Sequence, residues 1–78
     1  PETTISYDLP EQTFVFITIY DVLGRKIRTI VNEQQDSGQR SIIWSAKDEN
    51  GQPVSAGIYL YQIQAGDFVQ TEKLILIK

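Results

Sequence analysis

The side chains of this chain that could carry chemistry are carboxylates and serines, and neither set has the partners that catalysis needs. Acid–base work requires paired carboxylates beside a pocket, or a histidine. The candidate carboxylates are Asp8, Asp21, Asp48, Glu49, Asp67 and Glu72. Asp21, Asp48 and Asp67 fall in predicted turns, where Asp commonly bonds the local backbone. The chain has no His, so no imidazole base can activate a serine, and the residues indicate a protein that is not an enzyme.

The chain also lacks the side chains that usually bind transition metals. The chain has no Cys and no His, which removes the usual transition-metal ligands. Asp48-Glu49-Asn50-Gly51 resembles the opening of a calcium loop, with oxygen side chains before a Gly, but no Glu follows at the spacing of an EF-hand. A structural turn is the favoured interpretation, with calcium kept as the alternative, and we predict neither a metal nor a cofactor.

Aromatic side chains could stack on a sugar ring. The candidates are Trp44, Tyr7, Tyr20, Tyr59 and Tyr61. Trp44 alternates with Ile42, which directs it towards the core, and the last two tyrosines share a face with Ile63. Core packing is therefore the favoured interpretation, and a carbohydrate-binding platform is the alternative.

A basic cluster is the last candidate site. Arg25, Lys26 and Arg28 lie close together, and Arg40 is expected across a hairpin from them. They could form a docking patch for an acidic partner. A solvated strand face is favoured instead, since Lys and Arg on an edge strand also block pairing with other chains.

Composition narrows the class of protein. Seventy-eight residues make one domain, residues 1–78. The net charge of −3, with seven Lys and Arg against ten Asp and Glu, argues against binding to nucleic acid or a membrane surface. The apolar runs are shorter than the ~20 residues of a membrane helix. No signal peptide opens the chain, so export would require a signal elsewhere in a longer precursor.

The elements that would position these residues are strands, because apolar residues alternate with a period of two throughout. The predicted strands are residues 4–9, 14–20, 25–31, 39–44, 58–64 and 68–78. The polar stretch 32–38 predicts a loop or a long hairpin connection, and residues 52–57 predict an irregular connection with room for one short edge strand. Six or seven short strands at this spacing predict an all-β fold, a small antiparallel β-sandwich.

Several details follow from the pattern. Val15, Ile17 and Ile19 are expected to face the core, and the three-residue spacing of Ile27 and Ile30 predicts a bulge. Residues 68–78 form the most apolar segment, so we expect this last strand to be paired and buried in the interior of the sandwich.

Two turns carry specific predictions. Gly24 is expected to adopt a positive φ in the turn that follows Asp21. Asn50-Gly51 is typical of a primed hairpin turn.

Several motifs occur together in a specific order. They are Ile5–Pro10, Ile19–Ile27, Gly38–Trp44, Asp48-x-x-Gly51, Ser55–Tyr61 and Thr71–Lys78. This ordered set closely resembles the carboxy-terminal sorting domains of the type IX secretion system, which are similar in turn to the Ig-like domain of the flagellar hook-capping protein. The resemblance covers essentially the whole chain.

The resemblance implies an Ig-like β-sandwich that ends a larger exported protein of a Gram-negative bacterium. It implies a non-catalytic folded address, read by secretion-machinery proteins at the outer membrane and covalently linked to an upstream cargo domain. The location would be the cell surface or the medium, reached through the periplasm, with no nucleic-acid partner and no direct membrane insertion. The implied recognition residues are Gly24, Arg25, Lys26, Gly57, Ile58, Tyr59, Lys73, Leu74, Ile75, Leu76, Ile77 and Lys78.

Two other functions stay open. The first is a structural or assembly module, either a hook-cap-like scaffold or a spacer in a multidomain secreted hydrolase, in which an edge strand could pair with another copy. The second is a carbohydrate-binding module. One departure from the sorting family is that Ser45-Ala46 follows Trp44 where Asp or Asn and then Gly are usual, and Ala takes a positive φ less easily than Gly.

Overall fold

Short alternating segments of the chain fold into strands, with one irregular stretch at residues 45–56. A computed structural model describes residues 2–77, so the prediction made for Lys78 lies outside the described residues. The strands are β1 (Thr3–Leu9), β2 (Thr13–Asp21), β3 (Lys26–Gln35), β4 (Gly38–Trp44), β5 (Gly57–Ala65) and β6 (Phe68–Leu76). The predicted all-β class is confirmed. Residues 2–77 contain no helix of the length and apolarity that a membrane span requires.

The strands form two antiparallel sheets of unequal width. β1 and β4 make a two-stranded sheet, and the other strands make a four-stranded sheet in the order β3-β2-β5-β6. Only β2 and β5 have a neighbour on both sides, so β3 and β6 are the edges of the wide sheet. This arrangement decides which faces and edges are available for contacts.

The core lies between the two sheets, on the face that the alternation predicts. Val15, Ile17 and Ile19 on β2 have no exposed surface, which confirms their predicted direction. Two clusters meet there. One contains Ile5, Ile19, Trp44, Ala46, Tyr59, Leu74 and Leu76, and the other contains Leu9, Val15, Ile17, Val31 and Ile63.

The predicted irregularity in β3 is present as two bulges. Ile17 pairs with Val31 and Thr18 with Thr29, which leaves Ile30 as the extra residue. A second register shift, between Ile19 and Tyr20, leaves Ile27 as an extra residue in the same way. A bulge turns the strand locally, and this explains how two isoleucines three residues apart both pack against the core.

The loop predicted for residues 32–38 is wrong. β3 continues to Gln35, and its polar half pairs with the beginning of β2, with Thr13 opposite Gln35. Gln35 is buried and accepts a hydrogen bond of 2.6 Å from the Tyr7 hydroxyl. Pairing with β2 outweighs the local polar composition here, because side chains on an edge strand can point into solvent.

The prediction that the last strand is paired is confirmed, but the prediction that it is buried holds for Leu74 and Leu76 alone among residues 68–77. β6 is ordered and paired with β5, but it is an edge strand and ends at Leu76. Leu74 and Leu76 are its buried residues, whereas Ile75 is 58% exposed and Ile77, beyond the strand, is 79% exposed. The apolar composition of this segment therefore reflects two faces with different surroundings.

Candidate functional site

The predicted recognition residues come together at one end of the four-stranded sheet. Gly57, Ile58 and Tyr59 at the start of β5 pair with Leu76, Ile75 and Leu74 at the end of β6. The turn with Gly24 and Arg25 joins β2 to β3 at the same end, where Lys26 begins β3 opposite Tyr20. Asp21, the last residue of β2, pairs with Tyr59. Lys73 lies opposite Leu60, which in turn lies opposite Tyr20.

These residues divide into two groups by the face on which they lie. Tyr59, Leu74 and Leu76 are buried against Trp44, so their role in the structure is to complete the core. Ile58 and Ile75 form a cross-strand pair on the opposite, outer face, where they are 48% and 58% exposed. Of these five residues, only Ile58 and Ile75 are exposed to a partner.

The outer face of the four-stranded sheet carries large exposed apolar side chains on β2, β5 and β6. Phe14 and Val69, which point outwards on β2 and β6, are 49% and 52% exposed. Lys73 is the only charged residue at the outward positions of β2, β5 and β6. Large exposed apolar faces mark protein contacts, so we define this surface, carried by β2, β5 and β6, as the outer face.

Sequence reasoning missed the outer face. Its centre is held together by polar side chains, since Thr18 is 1% exposed, with its hydroxyl 3.4 Å from that of Thr29. Gln62 beside it donates a hydrogen bond of 3.4 Å to the hydroxyl of Thr71. The signal lay in the outward positions of the last two strands, but only the register brings Ile58 and Ile75 side by side.

Two turns of the chain share one hydrogen-bond pattern. In the first, Asp21 Oδ1 accepts bonds of 2.9 Å from the backbone N–H groups of Leu23 and Arg25, and the N–H of Gly24 bonds to the Asp21 carbonyl at 3.0 Å. Gly24 has a φ of 85°, as predicted. The loop is thus a three-residue hairpin connection closed by a glycine bulge.

Asp48 repeats this pattern. Its Oδ1 accepts bonds from the N–H groups of Asn50 and Gln52, at 2.9 and 3.0 Å, and Gly51 has a φ of 77°. The predicted primed turn is wrong, because such a turn needs a positive φ at Asn50 as well, and among the non-glycine residues described only Ala46 has one. The Asp48 carboxylate therefore has a structural role.

The Asp48 turn also covers an edge of the wide sheet. Glu49 donates its backbone N–H to the carbonyl of Ile27 at 3.0 Å, and its carboxylate accepts the N–H of Thr29 at 3.0 Å. Arg28 reaches the Asp48 carbonyl at 2.9 Å. This part of β3 is thereby closed to strand addition. Within residues 2–77, no group of three acidic residues is placed to hold a metal ion.

We expect the Asp21 turn to make the stability of the chain depend on acid pH. The hydrogen bond from the Arg25 N–H is the main factor that lowers the pKa of Asp21, and the Arg25 guanidinium, 2.8 Å away, adds to it. The stabilisation is complete above the ordinary pKa of about 3.9. It is lost as the pH falls through the lower pKa of the folded state, because the unfolded chain binds the proton more tightly.

Thermal unfolding followed by circular dichroism at decreasing pH measures this effect. Asp21→Asn should flatten the fall of Tm below the ordinary pKa of Asp, because the titrating group is gone. Asp36→Asn removes a carboxylate from the β3–β4 turn with the same change of net charge, and it should retain the slope. Equal slopes for Asp21→Asn and the unmodified chain would contradict the assignment.

The predicted orientation of Trp44 is confirmed. The indole is 2% exposed, it meets the Tyr59 ring edge to face at 5.3 Å between centroids, and its Nε1 donates to the Lys47 carbonyl at 2.9 Å. The following turn contains Ala46 with a φ of 62°, so the chain adopts a positive φ there without a glycine. A ring held in this way cannot stack on a sugar.

The expected position of Arg40 is wrong. β4 pairs with β1 and not with β3, so Arg40 lies opposite Tyr7 in the two-stranded sheet. Its guanidinium contacts the Asp36 carbonyl, whereas Arg25 contacts Asp21 and Arg28 contacts Asp48. The four cations therefore do not come together as the docking patch that was the alternative interpretation.

Comparisons with known proteins agree on one family. The family model for the FlgD Ig-like domain matches residues 2–68. The crystal structure of FlgD from P. aeruginosa superposes with a TM-score of 0.77 at 28% identity, which confirms the predicted Ig-like fold. The match covers 96% of this chain and 59% of that chain, so this chain corresponds to little more than half of that protein. No match was found among curated proteins.

The resemblance to type IX sorting domains is corrected by these findings. The family that matches is the FlgD Ig-like domain, over 67 of the 78 residues (2 to 68 inclusive), and the similar structure is FlgD. The two families share the Ig-like sandwich, so the motifs that carried the resemblance, such as Asp48-x-x-Gly51 in its turn, report the fold. No role as a type IX address follows from them.

Proposed function

Because the chain belongs to the FlgD Ig-like domain family, we propose that it is a non-catalytic structural module of the flagellar hook-capping type, which assembles with further copies through its outer face. The observation that carries this proposal is the exposed Ile58–Ile75 pair at one end of the outer face, whose outward positions on β2, β5 and β6 carry one charged residue. Contact between two such faces would remove these side chains from water, which favours association.

A second copy is the occupant that the charge pattern supports. The outward positions of β2, β5 and β6 carry a single charge, that of Lys73, so two outer faces meet with little like-charge repulsion. In such a contact, exposed apolar side chains of one copy would pack against exposed apolar side chains of the other. An Ig-like spacer in a larger secreted protein is the remaining possibility, and it needs no self-association. Secretion, attachment to an upstream domain and a surface location stay predictions.

Sedimentation velocity from micromolar to millimolar concentration tests this proposal. We expect the unmodified chain to associate reversibly as the concentration rises. The double variant Ile58→Lys/Ile75→Lys should remain monomeric, because two buried charges without partners would oppose the contact. Circular dichroism should show that it still folds, since both side chains are exposed in the single module.

Ile43→Lys is the control on the other sheet. Ile43 is 55% exposed on β4, in the other sheet, so the same substitution there should leave association unchanged. A chain that stays monomeric at millimolar concentration would overturn the assembly proposal and leave the spacer. Loss of association in the Ile43→Lys variant alone would place the contact on the two-stranded sheet, which also contradicts the proposal.

A further inference from the structure

The two-stranded sheet leaves part of the inner face of the wide sheet uncovered. Cross-strand partners point to the same side of a sheet, and Gln70 pairs with Ile63, which is 7% exposed and lies in the core. Phe68, Gln70 and Glu72 therefore point inwards, yet all of them are exposed, Phe68 by 57%. The first half of β6 therefore directs side chains towards the interior of the sandwich, but no described strand of the opposite sheet covers them.

The free edge of β1 lies beside this gap. Within residues 2–77, β1 pairs with β4 alone, so its other edge has backbone N–H and C=O groups without a strand partner. A cleft of about 820 Å³ separates this edge from β5 and β6. Residues 6–9 of β1 line it, and Tyr61, Ile63 and Phe68 contribute to its apolar floor. An open strand edge beside an apolar floor is a template for one more strand.

The charges around the cleft are of one sign. Asp8, Glu11, Asp67 and Glu72 line it, and no Lys or Arg does. The ion pair found within residues 2–77, between Asp21 and Arg25, lies elsewhere. Glu72 accepts a hydrogen bond from the Gln70 amide. Burial raises the pKa of Tyr61, and the nearby Glu72 carboxylate raises it further, as expected in a negative field. Such a cleft attracts cations.

We propose that this cleft binds an extended protein segment with alternating basic and apolar residues, which adds to β1 as a third strand. Side chains alternate between the two faces of a strand, so the apolar set would cover Tyr61, Ile63 and Phe68. The basic set would then lie on the outer side, beside Asp8 and within the negative field of the other carboxylates around the cleft. Residues 6–9 offer roughly 13 Å of edge, at about 3.3 Å per residue. The inference goes beyond the proposed function, since it rests on the cleft and holds for a spacer as well.

Titration of the isotope-labelled chain with a capped peptide of alternating Lys and Val tests the proposal. Amide NMR signals of residues 6–9, and of Phe68 and Gln70, should shift on binding. A peptide of alternating Glu and Val should leave them unchanged. The proposal is overturned if neither peptide binds at millimolar concentration or if both bind equally. It is also overturned if the shifts fall on β4, or if residues 6–9 respond to the concentration of the chain alone, which would indicate a second copy.

Two variants with the same net charge measure how much the carboxylates of the cleft contribute to binding of the basic peptide. Asp8→Asn/Glu72→Gln removes two carboxylates of the cleft, and we expect about three- to tenfold weaker binding of the basic peptide. Glu2→Gln/Asp36→Asn makes the same change of net charge at residues that do not line the cleft and should bind as the unmodified chain does. Equal losses in both variants would show attraction by net charge alone and would contradict a specific site.

Discussion

Deletion of residues 74–78 is expected to unfold the chain. It removes Leu74 and Leu76, which are 8% and 2% exposed and pack with Trp44 and Tyr59 in one core cluster. It also removes the strand that pairs with the start of β5. Truncating one buried leucine costs about 2–5 kcal/mol, so two cost about 4–10 kcal/mol, and a domain has about 5–15 kcal/mol in total. The further loss of the strand pairing leaves too little stability for the chain to stay folded. Circular dichroism should show a disordered chain.

Neighbouring single substitutions separate packing from chain length. Leu76→Ala should lower the free energy of unfolding by about 2–5 kcal/mol in a urea titration. Ile75→Ala, one residue away on the opposite face and 58% exposed, should lower it by less than about 1 kcal/mol. A folded, cooperative deletion chain, or equal effects of the two substitutions, would show that the end of β6 contributes nothing to the core.

Replacing Trp44 with alanine is the second large effect. The indole is 2% exposed, lies against the Tyr59 ring and bonds to the Lys47 carbonyl. Its loss opens a cavity and leaves that carbonyl without its partner. We expect the free energy of unfolding to fall by about 3–5 kcal/mol, measured by urea titration with circular dichroism because the substitution removes the only tryptophan.

Trp44→Phe separates the contribution of the hydrogen bond from that of ring packing. Phenylalanine keeps a ring beside Tyr59 but cannot donate to the Lys47 carbonyl, so we expect a loss of about 1–3 kcal/mol from the unpaired acceptor. Ile43→Ala, at an exposed neighbour, is the control and should change stability little. A Trp44→Ala variant as stable as Ile43→Ala would contradict the position of the indole in the core.

Local patterns predicted the parts of the fold that depend on one strand at a time. The alternation of Val15, Ile17 and Ile19 identified the buried face because the period of side-chain direction in a strand is two. The irregular spacing of Ile27 and Ile30 revealed the bulges, since each is the extra residue that breaks this period. Gly24 predicted a turn for a similarly local reason.

Features that depend on the pairing of distant strands could not be predicted in this way. Nothing near Arg40 specifies that β4 pairs with β1 rather than with β3. The polar half of β3 was misassigned because its partner, the start of β2, is distant in sequence. The apolar run at the end of the chain indicated burial, but an edge strand with one outward face has the same composition.

The candidate surfaces depend on the same distant pairings. The outer face exists because the register places Ile58 beside Ile75. The cleft exists because the sheet of β1 and β4 has two strands, whereas the sheet that it covers has four. Sequence motifs such as Asp48-x-x-Gly51 report turns of the Ig-like fold, and this is why they resemble those of the sorting domains without indicating a function.

Methyl NMR over a range of chain concentrations tests most directly whether the outer face joins one module to the next. Association through this face predicts that the methyl signals of Ile58, Ile75 and Val69 shift as the concentration rises, while those of Ile43 stay constant. Shifts confined to Ile43 and β4, or signals that do not change up to millimolar concentration, would contradict it.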